Sequence, residues 1–104
     1  MRLEFHADAV SELQSAAEFY ESRQVGLGGR FLELVEETLE RISRDPLAWS
    51  IADEDVRRCL MRVFPFGILY TIELQFILIL AVAHLAREPG YWAVRKTSRK
   101  PSGP

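Results

Sequence analysis

VRRCLMRVFPFGILYTIELQFILILAVAHLAREPGYW, residues 56–92, holds the continuous apolar runs of the chain together with four of its arginines, and the fold follows from how it is read. Within it, Phe66 to Ile72 and Phe76 to Ala83 are short runs rich in β-branched and aromatic residues, which predicts two strands. Only Glu73, Leu74 and Gln75 separate them, a break of hairpin length, so the strands are adjacent and antiparallel. Neither run alternates apolar with polar residues, so both faces of the sheet must be covered. Helices can cover one face, and the other needs more of this chain or a partner.

The residues upstream supply the helices. Leu3 and Phe5 alternate with Arg2, Glu4 and His6, as in a short, half-buried edge strand. Asp8 is the expected N-cap of a first helix, in which Val10, Leu13, Ala17 and Tyr20 share a face and Glu12, Glu18 and Glu21 lie elsewhere, with Gly26 as its end. Gly28 and Gly29 open a second helix whose stripe, Phe31, Leu34, Val35, Thr38, Leu39 and Ile42, keeps helical spacing until Pro46 stops it. The short link makes the helices an antiparallel hairpin. The Gly26 to Gly29 stretch lacks the lysine and serine of a phosphate-binding loop and reads as a turn. Phe31, Leu34, Val35, Leu39 and Ile42 are expected to pack on Ile68, Tyr70, Leu78 and Leu80. Leu47 to Asp55 reads as an irregular connection in which Trp49 plugs the sheet edge.

Size and composition agree with one domain over residues 1–95 and a flexible tail at 96–104. The single cysteine, Cys59, offers no disulfide and reads as a small buried apolar residue. No apolar run approaches the roughly 20 residues of a membrane-spanning helix, and the first residues do not resemble a signal peptide, so the expectation is a cytoplasmic protein without a membrane role. The net charge of -2 conceals a division: 13 of the 15 acidic residues but only five of the 13 basic ones precede Val56, a balance of -8, and the remainder gives +6. A basic sheet half can meet an acidic partner or a phosphate backbone, although the acidic half weakens long-range attraction to nucleic acid.

In a strand that begins at Val56 and runs on to Val63, Arg58, Leu60 and Arg62 share one face, and Arg57, Cys59, Met61 and Val63 share the other. Arginine is rarely buried without a partner. The plain reading pairs these arginines with helix glutamates, and the functional one places an anion beside Arg58 and Arg62. His84 ends the second long run, with Arg87, Tyr91 and Trp92 close behind. The plain reading is a hydrogen-bonded strand-end histidine and an aromatic pair on the core edge. The functional reading gathers an imidazole, a cation and a phenol in one concavity, parts suited to proton transfer and to stabilising a phosphorane-like transition state.

Phe19-Tyr20-Glu21, Gly26-Leu27-Gly28 before Phe31, Phe64-Pro65-Phe66-Gly67-Ile68 with Tyr70, and Ala83-His84 followed by Arg87-Glu88-Pro89 and Tyr91-Trp92 together resemble the RelE/ParE toxin superfamily, in the branch often called plasmid stabilisation proteins. The resemblance spans residues 3 to about 95. It implies an α+β fold: an N-terminal strand, an antiparallel two-helix hairpin, then a mainly antiparallel sheet of three further strands. It implies a toxin of a type II toxin–antitoxin pair, with no cofactor or metal, whose antitoxin wraps it and covers the sheet. Two activities occur in that superfamily. RelE-like members cleave mRNA on the ribosome, for which the matching residues here are Arg58, Arg62, His84, Arg87 and Tyr91. ParE-like members poison DNA gyrase without a catalytic site, and a degenerate toxin would keep only its antitoxin contact. Ribosome-dependent cleavage is the first expectation. Against it stands a departure, since Gly67 occupies the third-strand position where the ribonucleases carry an arginine.

Overall fold

A computed structural model describes residues 1–97. Strand β1 (Arg2–Phe5) leads into helices α1 (Ala7–Arg23) and α2 (Leu27–Arg44), then β2 (Ser50–Asp53), β3 (Val56–Leu60), β4 (Phe66–Ile72), β5 (Phe76–His84) and a 3-10 turn at Ala93–Thr97. The sheet order is β1-β5-β4-β3-β2. β1 lies parallel to β5 at one edge, and the other neighbours are antiparallel. Expected and observed elements agree, with one addition. Ser50–Asp53, read as irregular, is a fourth strand after the helices and pairs with β3 at the far edge. All four of its residues are exposed, so it carries no burial pattern that a sequence could display.

The helix hairpin depends on a carboxylate from its first arm. α1 starts two residues earlier than its expected cap: His6 is the N-cap, its Nδ1 accepting the Asp8 N–H at 3.1 Å, while Asp8 sits in the first turn, where a negative charge suits the helix dipole. α1 ends at Arg23, and Gly26 takes up the left-handed backbone (φ 89°) as the N-cap of α2. That glycine has no side chain to cap with. Glu21 substitutes, accepting the N–H groups of Gly26 at 3.0 Å and Gly28 at 2.9 Å, two donors that a helix start would otherwise leave open.

The sheet has two covered faces. Phe31, Leu34, Val35 and Ile42 of α2 are buried with Ile68, Tyr70, Ile77, Ile79 and Val82 on the helix side. Leu78 and Leu80, expected there, lie on the opposite face with Val56, Leu69, Ala81, Ala83 and Trp92. The cause is a bulge: Leu69 faces Ala81 while Tyr70 faces Ile79, leaving Leu80 as an extra residue that reverses the alternation along β5. Leu39 is only half-buried. Trp92, 5% exposed, belongs to the C-terminal segment, so part of the second face is covered by this chain itself.

β3 stops at Leu60, three residues short of the expected Val63, which adopts φ 71° in the turn to β4. Arg57 donates to the backbone carbonyls of Trp49 (2.7 Å) and Leu47 (3.2 Å), so main-chain oxygens take the place of the expected glutamate. Trp49, half-buried, donates its indole N–H to the Arg41 carbonyl at 3.2 Å and packs at the end of α2. Lys96, assigned to the tail, sits in the 3-10 turn and reaches Glu54 at 2.6 Å; the rest of the expected tail, from Ser98 to Pro104, lies outside the described residues. No helix among the described residues is long and apolar enough to cross a membrane.

Candidate functional site

Where the C-terminal segment leaves the second sheet face uncovered, a concavity of about 460 Å³ opens between β2, the β3–β5 floor and the loop from Leu85 to Trp92. Arg58, His84, Arg87 and Tyr91 all line it, as does Gly67. Arg62 does not. Because β3 ends at Leu60, Arg62 belongs to the turn and forms an ion pair with Glu37 of α2 at 3.1 Å. Its plain reading, a helix-glutamate pair, is the one found.

Gly67 acquires a use from this geometry. A Cβ there would stand 3.2 Å from both Cγ and Cδ of Arg58, tighter than ordinary contact, so the arginine's aliphatic stem lies across the bare backbone of β4. A side chain of any size at residue 67 would lift it. The position that carries an arginine in the resembling ribonucleases is here the seat of a different arginine.

The neighbours of His84 determine its chemistry. Nδ1 accepts the Ala86 N–H at 2.9 Å, which leaves Nε2 to carry the proton of the neutral ring, and the ring packs edge-on against Phe66 at 5.1 Å. The Arg87 guanidinium stands 3.7 Å from the centre of the Tyr91 ring, a cation–π contact, and 3.8 Å from Oε2 of Glu12. Tyr91 donates its hydroxyl to the same Oε2 at 2.5 Å. Burial and that hydrogen bond to Glu12 push the phenol well above its ordinary range, so Tyr91 is neutral at physiological pH and its proton is already committed. Arg58, His84 and Arg87 thus offer N–H donors to the concavity, while the one phenol faces away into a carboxylate. Such a wall suits an anionic group, a carboxylate or a phosphate. Asp53 and Glu88 also line the concavity and oppose a polyanion.

A second hollow, about 380 Å³, runs between the Ser15–Tyr20 face of α1 and β5, and His84, Arg87 and Tyr91 form the wall between the two. Glu12, which borders this second hollow, was read from the sequence only as a residue off the apolar stripe. Periodicity reports the face of a helix that meets the core, but not a carboxylate at its margin that meets residues from the other end of the chain. No local signal marks it.

Comparison with known proteins places this chain in a family. A family profile described as the ParE toxin of the type II toxin-antitoxin system, parDE, matches residues 3–89, and the chain belongs to this family. Membership implies an antitoxin partner. Among solved structures, a chromosomal ParDE toxin–antitoxin system from P. aeruginosa is similar at 19% identity and a TM-score of 0.62, covering 82% of this chain and 96% of that one. A comparison with curated proteins gives no match.

Proposed function

We propose that this chain is a growth-arresting toxin that acts by binding DNA gyrase, and that the wall formed by Arg58, His84 and Arg87 is its contact with an acidic part of that target. One observation carries the reading: Arg58, His84 and Arg87 present N–H donors to the concavity, while the Tyr91 phenol is committed to Glu12. Tyr91 is bound to Glu12 and Arg62 to Glu37, so two of the five residues expected for RNA cleavage are engaged elsewhere. Binding needs donors alone, whereas cleavage needs a group placed to take a proton and another to return it. Acidic residues at the concavity, the acidic N-terminal half and the match to the ParE family support the same choice.

Ribosome-dependent mRNA cleavage is the second reading, favoured by one feature, the presence of His84 in the same concavity as both arginines. The test begins with induction of the toxin in cells, followed by primer extension on mRNA and assay of double-strand DNA breaks and the SOS response. Purified toxin is then added to a gyrase supercoiling assay. Breaks with intact mRNA, and supercoiling inhibited in vitro, are expected. Arg58→Ala and Arg87→Ala should each weaken inhibition about 10- to 100-fold, as for loss of a charge-assisted hydrogen bond. Codon-phased mRNA cuts abolished by His84→Ala would overturn the gyrase reading.

A further inference from the structure

Glu12 is tied to parts of the chain far from it in sequence. Its side chain is 14% exposed. Oε1 accepts the backbone N–H of Val82 at 2.9 Å and Nη1 of Arg95 at 2.8 Å. Oε2 accepts the Tyr91 hydroxyl at 2.5 Å and Nη2 of Arg95 at 3.0 Å. A carboxylate has about four lone-pair sites, and here each oxygen receives two donors. Arg95 in turn donates to the Leu80 carbonyl at 3.0 Å and lies 3.5 Å from Asp8. β1 pairs with β5 only as far as Ile79, so the Glu12–Arg95 pair satisfies the strand edge just beyond the point where a neighbouring strand ends.

The consequence for the concavity follows from what these donors carry. Tyr91 is the platform on which Arg87 rests, and Glu12 fixes the ring of Tyr91 through its hydroxyl. The Arg87 side chain is half exposed, and among the described residues its guanidinium meets that ring and the more distant carboxylate of Glu12. Its position is therefore inherited, from Glu12 to Tyr91 to Arg87. We infer that Glu12 is a positioning residue of the toxin: it does not face the concavity, but it sets where Arg87 stands in the wall. The inference rests on the reading that this wall contacts the target.

The test is a double-mutant cycle on purified protein, with Glu12→Gln, Arg87→Ala and the pair, measuring inhibition of gyrase supercoiling together with amide hydrogen exchange. Glutamine replaces one acceptor oxygen with a donor, which must then face either the Arg95 and Val82 donors or the Arg95 and Tyr91 donors. Exchange at Tyr91 to Arg95 should accelerate by roughly 10²-fold, the scale of losing one partner of a buried ion pair, while α2 and the β3–β4 ladder keep their protection. Inhibition should fall as far as in Arg87→Ala, and the double variant should be no weaker than Arg87→Ala alone. If Glu12→Gln does not fold, Tyr91→Phe, which keeps the ring but releases it from Glu12, replaces it in the cycle. Losses that add, or full inhibition by a variant with a loosened segment, would overturn the positioning role while leaving the wall intact as a contact. Full inhibition by Arg87→Ala would remove the wall and the positioning role together.

Discussion

Gly28 and Gly29 are neighbours in the first turn of α2, and alanine at the two positions should change stability in opposite directions. A Cβ on Gly28 would stand 2.6 Å from the Ala17 carbonyl oxygen and 2.9 Å from Cβ of Glu21, separations at which the backbone of α1 has to move. That displacement also disturbs the Glu21 carboxylate, which accepts the Gly28 N–H. Overpacking of this kind costs about 1–3 kcal/mol, and the helical advantage of alanine over glycine returns at most about 1 kcal/mol. A Cβ on Gly29 meets nothing within 4 Å, so only the helical advantage of about 0.5–1 kcal/mol remains there. The two variants should therefore differ by about 1–3 kcal/mol. With a urea slope of about 1–3 kcal/mol/M, that is a gap of roughly 1 M in midpoint. Circular dichroism on toxin freed from its partner measures it, with wild type between the two. Equal midpoints, or a stabilised Gly28→Ala, would refute the claim that the hairpin is packed to backbone contact at this glycine.

Two further outcomes follow from buried groups. Tyr70 is fully buried, donates to the Pro46 carbonyl at 2.6 Å, and burial pushes its phenol from 10.0 up to about 12. The fold favours the neutral form, so its contribution is complete below pH 10, shrinks as pH rises and is gone above about 12; the urea midpoint should drop between pH 10 and about 12, and less steeply in Tyr70→Phe. Cys59 is fully buried and burial raises its thiol pKa, so a thiol reagent should label it only at the rate of global opening, and labelling as fast as a free thiol would contradict its place in the core.

What the sequence made legible was whatever repeats along it. The α2 stripe and the apolar runs of β4 and β5 recur at fixed spacing, and that spacing defines both the element and the buried face. Two failures have one source each. Ser50–Asp53 is an exposed edge strand, held by pairing with β3 and without an apolar face, so no pattern announces it. Leu78 and Leu80 lie opposite the face that simple alternation predicts, because a bulge visible only in the pairing with β4 interrupts that alternation. The site divides in the same way. Arg58, His84, Arg87 and Tyr91 line one concavity because strand order and chain proximity bring them together. Arg62 lies outside it because β3 ends before that residue, and Glu12 leaves no signal in the sequence because its partners lie far away along the chain.

That distance affects how the protein is made. Glu12 and Arg95 are separated by 83 positions, and β1 has no strand to lie against until β5 exists. The helix hairpin, whose contacts are local, can form while the chain is still being synthesised, but the edge of the sheet and the wall beside it wait for nearly the whole sequence to leave the ribosome. Until then Glu12 is a solvated acid on a helix and Arg87 has no fixed place. If that wall is the contact with the target, as proposed, a nascent copy of this chain is unarmed, and the interval between translation and completion of the fold is time in which a partner already present in the cell can reach it first.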